Sequence, residues 1–173
     1  DSHHEKVAEQ TVTTDAFDHS RFGDLPLVVD HPTTGAPCIR YHDGTFYIFS
    51  NINGHGVQVF TAPYGPATRP VASLPVTSGV VVANPLSPDG RTLAVCSDTS
   101  PDLGLVDVTD PTRPALRVTV PLPDPCVVAE FSSDSRQLVV PTLGPETVIL
   151  DTADPDRPVV AHRLTTGIGA SPS

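Results

Sequence analysis

His42 and Asp43 stand side by side, and His55 follows on the same stretch of chain. An imidazole beside a carboxylate is the unit of acid–base work, and a second imidazole makes it a partial metal-ligand set. The same three residues also read as a turn aspartate and two solvated histidines, which is the plainer expectation. Asp98, Asp102, Asp107 and Asp110 offer the oxygen ligands that calcium takes. Residues 97–102 nevertheless lack the D-x-D-x-D-G spacing that wraps one loop round that ion, so solvated carboxylates are expected. No G-x-S-x-G segment exists to seat a nucleophilic serine. Cys38, Cys96 and Cys126 include no C-x-x-C pair, which favours three buried free thiols over a zinc site or a disulfide framework. No metal and no resident cofactor is expected.

These residues hang on a repeat. Ser87 to Pro114 reads SPDGRTLAVCSDTSPDLGLVDVTDPTRP: a tight turn, an apolar run, a polar loop, a second apolar run and an Asp-Pro turn closed by Arg-Pro. The order returns at Ser132 to Pro158, SSDSRQLVVPTLGPETVILDTADPDRP, and more loosely at His42 to Pro70. Short strands recurring at about 45 residues, with turn residues between them, are the pattern of β-propeller blades. Arg69, Arg113 and Arg157 recur at one place in each repeat, which points to a structural ion pair or turn contact. Cys38 and Cys126 each follow a proline at matching points of two repeats.

The expected fold is all-β, a propeller of four-stranded antiparallel blades with about three full blades and a partial one at each end. No window carries the apolar spacing of a helix. Blades are expected at residues 36–78, 79–124 and 125–166, within a propeller portion spanning 23–173. Strands are expected near 36–41, 45–50, 56–61 and 70–75, then 79–86, 91–97, 103–109 and 115–121, then 125–131, 136–142, 146–151 and 159–164. Residues 1–22 read as a polar tail or outer strand. Thr166 to Ser173, TGIGASPS, repeats the manner in which Thr77 to Gly90 enters the second blade. It predicts a further blade, and with it a portion of a larger ring or a ring completed by self-association.

Among 173 residues, 20 prolines and 12 glycines fall mostly between the apolar runs, where they punctuate short strands. A formal charge of −10 argues against nucleic acid and anionic membrane as partners, since both are bound through basic patches. Lys6 is the one lysine. A secreted or cell-envelope setting is expected, with a protein or glycan as partner at a propeller face.

Two resemblances bear on function. Gly104 to Pro114, GLVDVTDPTRP, and Val148 to Pro158, VILDTADPDRP, resemble the LVIVD-type repeats of bacterial propellers. Ser87 to Val95, SPDGRTLAV, resembles the entry hairpin of YVTN-type, lactonase-like and WD-type propellers. Ala36 to Phe49, APCIRYHDGTFYIF, is similar to the second blade of five-bladed arabinanases and xylosidases. That family hydrolyses glycosides with carboxylates around its channel, the base lying in a D-P-S-I/V entry strand. Asp124-Pro125-Cys126-Val127 is the matching stretch, with Cys126 in place of serine, so the resemblance puts Asp124 in that role and leaves Glu130 as the nearest acid. Repeats without a cluster built once favour a non-catalytic binding scaffold; the resemblance to hydrolases supplies the alternative, cleavage of a sugar or lactone at the central channel.

Overall fold

The computed structural model describes residues 38–50, 56–61, 69–77 and 81–165. The expected tail at 1–22, the partial units at 23–35 and 166–173, and His55 lie outside them. Among the described residues, twelve strands form three four-stranded antiparallel sheets, each ordered as in the sequence. The first sheet is β1 (Cys38–His42), β2 (Thr45–Ser50), β3 (Gly56–Thr61) and β4 (Ala72–Pro75). The second is β5 (Val81–Ala83), β6 (Thr92–Ser97), β7 (Asp102–Asp107) and β8 (Ala115–Pro121). The third is β9 (Glu130–Phe131), β10 (Gln137–Pro141), β11 (Glu146–Asp151) and β12 (Val159–Thr165). No helix occurs among the described residues.

Turn chemistry explains the hairpins. Asp43 and Gly44 connect the paired residues His42 and Thr45 with φ of 46° and 80°, the two positive angles of a type I′ turn. The second Asp-Gly makes a different turn. There only Gly90 is left-handed, at φ 72°, and its amide donates to the Ser87 carbonyl at 2.8 Å. The first strands of the second and third sheets are shorter than the sequence pattern predicts. β5 ends before Pro85, which has no N–H for the ladder, and pairing resumes only at the Leu86–Leu93 bridge. Cys126 likewise keeps one bridge to Thr142 after Pro125, and regular pairing waits until Glu130.

Two apolar layers stack the sheets. Phe49, Val57, Val59, Val76, Leu93 and Val95 join the first sheet to the second. Ala94, Cys96, Leu103, Leu105, Leu138 and Leu150 join the second to the third. All six residues of β6 are buried, alternate side chains entering opposite layers, so its sequence shows no clean alternation. β10 has one covered face, with Leu138 and Val140 buried while Gln137, Val139 and Pro141 are exposed. Every residue of β12 is exposed.

Candidate functional site at the turn rim

Antiparallel order sends the turns between first and second strands, and between third and fourth, to one end of every sheet. The middle hairpins and the connections between sheets share the other end. The repeated polar residues therefore collect on two rims, with different chemistry.

At the turn rim most repeated aspartates hold the backbone. Asp89 Oδ1 accepts the Ser87 hydroxyl at 2.6 Å and the Arg91 amide at 3.0 Å. Asp134 does the same for Ser132 and Arg136, at 2.6 and 3.1 Å. Asp110 takes the Thr112 amide and hydroxyl, and Asp154 the Asp156 amide. These are side chains closing their own turns. The Ser132 hydroxyl and the Arg136 amide hold the Asp134 carboxyl below the ordinary carboxylate range. Thr112 does the same for Asp110. Arg113 and Arg157 give their amides to the Asp110 and Asp154 carbonyls, both at 3.0 Å, while their side chains stay exposed. At these two positions the turn contact is made by the backbone amide and not by the guanidinium.

The ion pair falls to Arg117, on β8. Its guanidinium reaches Asp107 at 2.9 Å within the second sheet and Asp156 at 2.8 Å in the third. Burial pushes the Asp107 carboxyl up, but the Thr109 amide and hydroxyl and then Arg117 outweigh it and hold it below the ordinary range. Beside this bridge lies a polar cleft of about 280 Å³, walled by Asp89, Arg91, Arg117, Ser135 and Arg136. A charged residue amid the alternation of ALRVTVP is the signal that marks Arg117 in the sequence.

His42 and Asp43 occupy the same rim on the first sheet, His42 Nε2 lying 3.3 Å from Asp43 Oδ2. Arg40 Nη2 lies 3.2 Å from His42 Nδ1, and another Arg40 nitrogen donates to the Val108 carbonyl of the second sheet. A guanidinium has only donors, so Nδ1 is the acceptor in this contact, and Nε2 faces Asp43. The imidazole thus lies between a guanidinium and a carboxylate whose side chain is 89% exposed.

Asp124 and Glu130 are not brought together. Asp124 sits in the connection from β8 towards β9, its carboxylate packed against the Cα of Gly144 in the hairpin between β10 and β11. Glu130 starts β9, faces solvent beside Val139, and lines a cleft of about 340 Å³ with Val128, Phe131 and Pro141 on the bare face of the third sheet. Between them the chain is irregular, Cys126 bridging to Thr142 near the hairpin and Glu130 pairing with Val139 within β10. Asp98 and Asp102 lie at the end of β7 away from Asp107 and Asp110, so the four aspartates do not converge. No metal-holding group of three or more His, Cys, Asp or Glu occurs among the described residues.

Of the thiols, Cys38 is half-buried, while Cys96 and Cys126 are fully buried in one apolar layer. The Cys96 S–H donates to the Cys126 sulfur, and with burial this pushes the Cys96 thiol up. The same bond holds Cys126 below the ordinary thiol range, helped by backbone amides and opposed by burial.

No protein-family model matches the chain, and no curated protein matches it in sequence. Solved structures do match its fold. A putative 6-phosphogluconolactonase from Bacteroides uniformis is 17% identical with a TM-score of 0.61, over 77% of this chain and 43% of its own. A β-propeller domain from Myceliophteria thermophila is 16% identical with a TM-score of 0.60, over 78% and 43%. Kuenenia stuttgartiensis hydrazine synthase is 22% identical with a TM-score of 0.58, over 82% and 38%. The chain thus spans about two-fifths of each of these proteins. Its three stacked sheets are blades of a partial β-propeller.

Proposed function

Starting from a partial β-propeller, we propose that the chain is a non-catalytic binding scaffold of secreted or cell-envelope type, contacting a protein or glycan at a ring face. The observation that carries this reading is the position of Asp124. Its carboxylate packs against Gly144 among the connections, while Glu130 pairs with Val139 within β10. Glycoside cleavage works with two carboxylates roughly 5–10 Å apart on either side of the scissile bond. The other repeated acids serve as turn caps or pair with Arg117. Function has to be argued from a site, and the turn rim offers charged contact surface more readily than a reaction centre. Self-association over the bare faces of the first and third blades belongs to the same reading.

The alternative, hydrolysis of a sugar or lactone, draws on the naming of one structural neighbour as a putative 6-phosphogluconolactonase. The purified chain is to be assayed with chromogenic aryl arabinosides and xylosides and with a lactone in a pH-indicator assay. No turnover above buffer is expected, for the wild type or for Asp124→Ala. Turnover abolished by Asp124→Asn or Glu130→Gln would put the hydrolase in place of the scaffold.

A further inference from the structure

Cys96 and Cys126 belong to different repeats, yet the fold puts them in contact. Cys96 is the penultimate residue of β6 in the second blade, paired with Ala83. Cys126 enters the third blade, and its amide donates to the carbonyl of Ser97, the residue after Cys96, at 3.0 Å. That bond holds the two backbones as neighbours, and the Leu143 amide fixes the same segment from the other side through the Pro125 carbonyl at 2.7 Å. Both side chains are fully buried in the layer between these blades, where hydrogen bonding to Cys126 is the first cause that pushes the Cys96 thiol up. A backbone bond to the residue beside Cys96, with both side chains in one buried layer, brings the two cysteines near each other, as a disulfide with its short Cα separation requires.

We propose that Cys96 and Cys126 are an oxidation site, closing to an inter-blade disulfide that staples the second blade to the third when the chain folds in the presence of a small-molecule disulfide. Cys126 attacks first in one order of events, and the reverse order balances in the same way. The Cys126 thiolate attacks one sulfur of the oxidant; the oxidant's S–S bond breaks and one small thiolate leaves. Cys96 then gives up its proton, and its sulfur attacks the mixed disulfide at Cys126 and expels the second small thiolate. Two protein thiols lose two electrons and two protons, and one small disulfide becomes two small thiols. Folding supplies the access, since both sulfurs are reachable before the layer between the blades closes. Cys38, at the entry of the first blade, takes no part.

The test refolds the whole chain from denaturant in a buffer of reduced and oxidised glutathione. The expected product is two hydrogens lighter by intact mass, carries one alkylatable thiol after denaturation, and yields a peptide linking Cys96 to Cys126. Its Tm is expected to be higher by roughly 5–10 °C than after dithiothreitol treatment. Cys38→Ser should keep the mass change and the shift. Three alkylatable thiols after oxidation, a linked peptide containing Cys38, or a Tm indifferent to reductant would each overturn the proposal. None of these readouts requires a Cys96 or Cys126 variant to fold.

Discussion

The Asp89 amide of the second blade donates to the Ser135 hydroxyl of the third at 3.0 Å, and Ser135 holds φ at 62° in doing so. It stands where the second blade has Gly90, at φ 72°. The third blade thus accepts a left-handed serine and gains a cross-blade bond that glycine could not make.

Two opposing effects meet at this residue. Relief of the left-handed strain is worth about 1 kcal/mol, and an exposed hydrogen bond is worth about as much. Ser135→Gly is therefore expected to lie within about 0.5 kcal/mol of wild type. Ser135→Ala keeps the strain and loses the bond, so it should cost about 1 kcal/mol. Urea midpoints of the two variants against wild type decide this, and Ala equal to wild type would show that the hydroxyl bond contributes nothing.

Asp107 gives the turn rim an acid-sensitive element. Its folded pKa is depressed, so its stabilisation is complete above the unfolded value of about 3.9 and is lost as pH falls through the folded value. Asp107→Asn should cost about 0.5–1.5 kcal/mol at neutral pH, a modest amount because the Asp107 side chain is 35% exposed. The gap between wild type and variant should then narrow below about pH 4. Thermal melts across pH 3–7 (an ordinary buffer range for such work) check the sign; a gap that widens in acid would contradict the assignment.

Gly104 lies under Val76. A Cβ built on it would run into Val76 Cγ1, inside the layer between the first two blades. Gly104→Ala is expected to destabilise by about 1–3 kcal/mol through overpacking. In a Val76→Ala background the same change should cost clearly less, since the neighbour that must yield has gone. Additive costs in this double-mutant cycle would place the clash elsewhere.

The outer blades end in apolar surface. Ile39 and Tyr41 are 60% and 63% exposed on the first, and Val139, Val160 and Leu164 are exposed on the third. A blade leaves its face bare until another covers it. We expect sedimentation velocity to give dimers or larger species, and Tyr41→Asp with Val139→Asp to shift them towards monomer. A monomeric wild type at high concentration would remove self-association from the proposed function.

Local chemistry made the repeat legible. A left-handed residue in a tight hairpin calls for Asp-Gly, and proline is excluded from inner ladders, so HDGT, SPDG and the Asp-Pro turns mark their own positions. Strand number and order in each sheet follow from that punctuation together with apolar runs of strand length. The first strands expected at 79–86 and 125–131 came out short, the former ending before Pro85, which has no N–H for the ladder. Which faces are covered was a matter of stacking: Leu93 and Ala94 are adjacent in the chain but enter different layers.

Only the tertiary structure decided which side chains meet. Cys96 pairs with Cys126 and not Cys38 with its repeat equivalent, because an inter-blade contact joins the second strand of one sheet to the entry of the next. Arg117 reaches Asp156 for the same reason. Asp124 and Glu130, close in sequence, take different surroundings, Asp124 against the Gly144 hairpin and Glu130 beside Val139. Periodicity reports the order along a strand. The distance between groups on different strands is set by how the sheets pack, and that information is held jointly by residues far apart in the chain.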